Sequence, residues 1–72
     1  LRNSNPNECI RLGEKALQLS QENNYELGIA LANERIGTGY LLKSDNSQAI
    51  KKFFSAEAIY RKEHFYKGLR SV

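Results

Sequence analysis

Apolar residues recur at three- and four-residue spacing over most of the chain, the period of helices buried along one side. In SNPNECIRLGEKALQLSQENN, Cys9, Leu12, Ala16 and Leu19 follow this spacing, with Ile10 and Leu17 beside them. Asn5 stands in a capping position, Pro6 at the first helical residue and Glu8 three residues after Asn5. An Asn side chain there accepts from free backbone N–H groups, and Glu8 reaches back to the cap N–H. A helix is predicted over 5–22, ended by the polar run SQENN. A second is predicted over 24–43, with Asn23 and Glu26 at capping-box spacing and Leu27, Ala30, Leu31, Ile36, Tyr40 and Leu41 as its apolar contacts. A third is predicted over 45–63, capped by Asp45 and Gln48, with Ala49, Ile50, Phe53, Ala56, Ile59 and Tyr60 on its buried face. HFYKGLRSV, 64–72, reads as the first turns of a fourth.

Three glycines, Gly28, Gly37 and Gly39, lie inside the second helix. Each costs about 1 kcal/mol relative to Ala in a helix interior, so close approach by another element is expected. Gly37-Thr38-Gly39 has the look of a phosphate-binding loop, but such a loop follows a strand and needs a third glycine. Here the third place is Leu42 and the flanking pattern is helical. The reading is steric: Gly37 lets the paired helix approach, with Ala49 and Ala56 small on the other side. Gly39 is less well explained from the sequence, as relief of crowding or a loosening of the helix.

Shifted by 40 residues, the chain overlays on itself. Asn5 falls on Asp45, Glu8 on Gln48, Ile10 on Ile50, Ala16 on Ala56 and Leu19 on Ile59. Tyr25 falls on Phe65, Gly28 on Gly68 and Ile29 on Leu69. The first and third helices are one kind of element, the second and fourth another. The stretch NERIGTGYLLKSDNSQAIKKFFSAEAIY resembles a tetratricopeptide repeat: Ile36-Gly37 matches its Leu-Gly pair, Tyr40 follows, and Ala49, Phe53 and Ala56 match its second helix. Cys9, Gly13 and Ala16 hold the equivalent places one period earlier. Asn33 stands where the family has an aromatic residue, and Arg61 near the place of its terminal Pro. The period is 40, against about 34 in the family. It is similar to the longer-helix variant found in tandem arrays of bacterial signalling and regulatory proteins.

The resemblance implies an all-α fold, antiparallel helical hairpins stacked as a partial α–α superhelix. Its concave face receives a peptide or partner helix. By position, that face would comprise Leu31, Glu34, Thr38, Leu41 and Leu42, with Arg35 at the rim; Leu31 and Leu41 are equally well read as ordinary core. Family members that grip a C-terminal carboxylate use Lys and Asn where Glu34 and Thr38 stand, so that grip is not expected here.

The remaining composition narrows function without naming it. Eleven Lys and Arg against eight Asp and Glu leave a net charge of +3, but the signs are interspersed, as on a solvated helix surface. KKFFSAEAIYRK interleaves aromatics and bases as an RNA-stacking surface would, yet Phe53 and Tyr60 fall on the core face, leaving Phe54 to be exposed or to pack on a neighbouring repeat. One cysteine, Cys9, excludes an internal disulfide and mildly favours a reducing compartment. His64 is the only histidine, at a helix junction, and no metal-ligand spacing occurs. Neither an enzyme site, a metal nor a cofactor is expected. No apolar run reaches the roughly 20 residues of a membrane span. The chain opens at Leu1 rather than Met and is expected to be an excised or processed segment. The leading expectation is a protein–protein interaction scaffold within a larger regulatory or sensory protein. The alternative is a structural spacer that self-associates through exposed repeat ends, and an RNA-binding helical repeat comes third.

Overall fold

The structure, a computed structural model, describes the backbone of residues 5–71 and the side chains of residues 5–63. It is all-helical: α1 (Pro6–Glu22), α2 (Glu26–Leu42) and α3 (Asn46–Ser71). Two of the predicted caps form. The Asn5 side chain accepts from the backbone N–H of Asn7 at 3.1 Å and of Glu8 at 3.4 Å, and Asp45 Oδ1 accepts from the Gln48 N–H at 3.3 Å. Glu8 does not close the box; its carboxylate pairs with Arg11 at 2.6 Å.

The cap expected from Asn23 and Glu26 is replaced by another device. The two turns close α1 and α2 in the same way. The N–H of Tyr25 reaches the Ser20 carbonyl (2.9 Å) and that of Asp45 the Tyr40 carbonyl (2.8 Å). The N–H groups of Asn24 and Ser44 reach Gln21 and Leu41. These paired bonds form a Schellman ending, which puts one residue in the left-handed region. That residue is Asn24 (φ 53°) in the first turn and Ser44 (φ 67°) in the second. Asn23 is thereby the last residue of the α1 ending, its side chain donating to the Leu19 carbonyl at 2.8 Å. Tyr25 precedes α2 without a side-chain cap. Glu26 pairs with Lys62 instead, at 2.8 Å.

The predicted fourth helix is corrected too. The α3 backbone runs on through 64–71 without a turn. His64 is the repeat equivalent of Asn24, but no glycine or proline interrupts residues 60–67, and a continuous helix forms.

α2 lies between the other two, antiparallel to both. Toward α1, a methyl added at Gly13 would lie 2.6 Å from Ile36, and one at Gly39 the same distance from Ile10. Toward α3, one at Gly37 would meet the Phe53 ring at 3.0 Å. Small side chains fill the rest: Ala30, Ala32, Ala49 and Ala56 are buried, and Ile36 is the one large side chain wholly enclosed among the described residues. Gly39 thus answers to α1, a contact the sequence did not disclose.

The expected apolar faces of α1 and α3 are only partly covered. Leu12, Leu19 and Ile50 are half-exposed, because α2 covers each outer helix along one side alone. Asn33 is buried at 7% exposure.

Candidate functional site

A groove of about 580 Å³ opens where α1 and α2 meet, with Phe53 of α3 at its edge. The α1 wall brings Asn5, Glu8, Cys9 and Leu12 to it because these residues fall three or four apart, beside the face that packs on α2. The α2 wall brings Leu31, Glu34, Arg35 and Thr38 for the same reason. Leu12 and Leu31, 50% and 49% exposed, form an open apolar floor. The free thiol of Cys9 is half-buried.

Polar groups frame this floor. Glu8 is held by Arg11, an exposed pair of the kind worth under about 1 kcal/mol. The Thr38 hydroxyl donates to the Glu34 carbonyl at 2.9 Å, so it is turned to its own helix. The Glu34 carboxylate accepts from the Tyr60 hydroxyl at 3.3 Å, joining α2 to α3. Burial first, then the negative charge of Glu34 and the hydrogen bond to it, raise the Tyr60 phenol above its ordinary value. Arg35 makes no ion pair among the described residues.

Of the six concave-face candidates, the groove gathers Leu31, Glu34, Arg35 and Thr38. Leu41 and Leu42 are exposed but lie outside it, at the C-terminal end of α2. The α1 contributors Cys9 and Leu12 and the edge residue Phe53 were not among those candidates. Their only signal was helical spacing, which also fits a buried face.

A second apolar surface lies on α3. Phe54 is 65% exposed and, with Ala58 and the Glu57–Arg61 ion pair (2.9 Å), lines a shallow depression. Among the described residues no group of His, Cys, Asp or Glu is placed to hold a metal, and no helix is long and apolar enough to cross a membrane. The His64 side chain falls outside the described ones. No protein-family model, curated protein or solved structure matches the chain.

Proposed function

We propose that this chain is a protein-interaction module that receives an amphipathic helix or peptide in the α1–α2 groove, as part of a larger regulatory or sensory protein. The supporting observation is the open floor of Leu12 and Leu31, framed by Glu8, Glu34 and Arg35. A groove between helices with an apolar floor suits the i, i+3, i+4 anchors of a helical partner. The tetratricopeptide resemblance supports the same reading: Gly37 lies against Phe53, and Ala49 and Ala56 are buried, as close-packed hairpins of that kind require. The groove carries Glu34 where a carboxylate grip needs a cation, so a partner's C-terminal carboxylate is not its anchor. We assign it no catalytic step.

The test is selection of amphipathic helical peptides on the chain, followed by amide shift mapping of the bound complex. Shifts centred on Leu12, Leu31 and Thr38, abolished by Leu31→Asp, are expected. Peptides that bind elsewhere, or with equal strength to the Leu31→Asp chain, would refute the assignment.

A further inference from the structure

The two open apolar surfaces differ in charge. Ile50, Phe54 and Ala58 fall four residues apart, so they share one side of α3. The 40-residue correspondence shows that the hairpin packing does not require apolar residues at the last two places. Phe54 and Ala58 stand where α1 has Glu14 and Gln18, both exposed. Ile50 stands where α1 has Ile10, which lies against Gly39 of α2, yet Ile50 is 52% exposed. α3 carries Lys51, Lys52, Arg61, Lys62, Lys67 and Arg70 against Glu57 and Glu63, a net charge of +4. α1 has Arg11 and Lys15 against Glu8, Glu14 and Glu22, and α2 has Arg35 against Glu26 and Glu34, so each is −1.

We propose that the helix the groove receives is α3 of a second copy of this chain, so that copies associate head to tail. This rests on the reading that the groove accepts a helix. The Ile50–Phe54–Ala58 stripe of one copy lies on Leu12 and Leu31 of the next, and Lys51 and Arg61 approach Glu8 and Glu34. Arg35, the groove's basic lining residue, is left to Glu57. The exposed Glu8–Arg11 and Glu57–Arg61 pairs exchange partners at little cost. Because stripe and groove are different surfaces, the contact is heterologous, and each added copy leaves one of each open unless the rotation between copies closes a ring.

Sedimentation velocity of the chain over a range of concentrations tests this. The sedimentation coefficient should rise with concentration at low salt and fall back toward the monomer value at high salt, where charge is screened. Phe54→Asp and Leu31→Asp should each be confined to monomer. Mixed in equal amounts they should form a dimer that grows no further, because one supplies an intact groove and the other an intact stripe. Both positions are exposed, and helical circular dichroism confirms that each variant stays folded; Leu12→Asp replaces Leu31→Asp if the latter loses helix. A wild-type chain that stays monomeric, or folded variants that do not restore each other, would overturn the proposal. If selected peptides still enter the groove of a monomeric chain, self-association alone fails; if none does, the groove reading fails with it.

Discussion

Replacing Gly13 by Ala separates helix propensity from helix packing. By propensity alone the change stabilises α1 by about 1 kcal/mol. In the structure Gly13 is buried against α2, and the new methyl would lie 2.6 Å from Cγ1 of Ile36, 3.2 Å from the Ile36 backbone nitrogen and 3.3 Å from the Ala32 carbonyl oxygen. Ile36 is 0% exposed, so its side chain has nowhere to swing, and two of the three neighbours are backbone. Relief requires α1 and α2 to move apart. Overpacking of this kind costs about 1–3 kcal/mol, which outweighs the propensity gain. Gly13→Ala should therefore lower stability by about 1 kcal/mol, or about 4–8 °C in Tm for a domain of this size. Gly37→Ala is the internal control. The three atoms nearest its methyl all belong to the Phe53 ring, at 3.0–3.1 Å, and that half-buried ring at the groove edge can tilt. Propensity and crowding should nearly cancel there. Thermal and denaturant unfolding of both variants checks the order. A Gly13→Ala chain more stable than wild type would refute the packing described for α1 and α2.

Three further outcomes follow from single residues. The Asn33 amide is buried without a hydrogen-bond partner among the described residues. Since a buried unpaired polar group costs about 1–3 kcal/mol, Asn33→Leu should raise the denaturant midpoint, and a lowered midpoint would show that the cost of the unpaired amide does not dominate there. Ser44 holds a left-handed backbone with a side chain attached (φ 67°); Ser44→Gly should stabilise by about 1 kcal/mol, read by thermal unfolding. The raised Tyr60 phenol holds its proton more tightly in the folded chain. Its contribution is complete below the unfolded phenol value of about 10 and is lost as pH rises through the higher folded value. Tyr60→Phe should flatten the alkaline loss of stability, and unchanged pH profiles would refute the raised phenol.

Most of what the sequence disclosed was local, the approach of α3 at Gly37 being the exception. Asn5 and Asp45 are legible as caps because a cap bonds backbone two or three residues away. Asn23 misleads because it has the right spacing from Glu26 yet belongs to the preceding helix ending, which the left-handed Asn24 sets. The period of Leu12, Leu31 and Ile50 marks an apolar side, but exposure depends on which other helix covers that side, and α2 covers each neighbour only once. Gly39 carried a known propensity penalty with no visible partner, since the partner, Ile10, is remote in sequence and on another helix. The groove was half legible for the same cause. Its α2 wall follows from repeat position, whereas its α1 wall required knowing how the two helices cross.

The most direct measurement is of proton–proton proximity between helices. The account predicts strong nuclear Overhauser effects from the Gly13 α-protons to the Ile36 side chain and from the Gly37 α-protons to the Phe53 ring. Helical amide patterns without those two cross-peaks would mean that α1 and α3 do not rest on α2, and neither the groove nor its partner would stand.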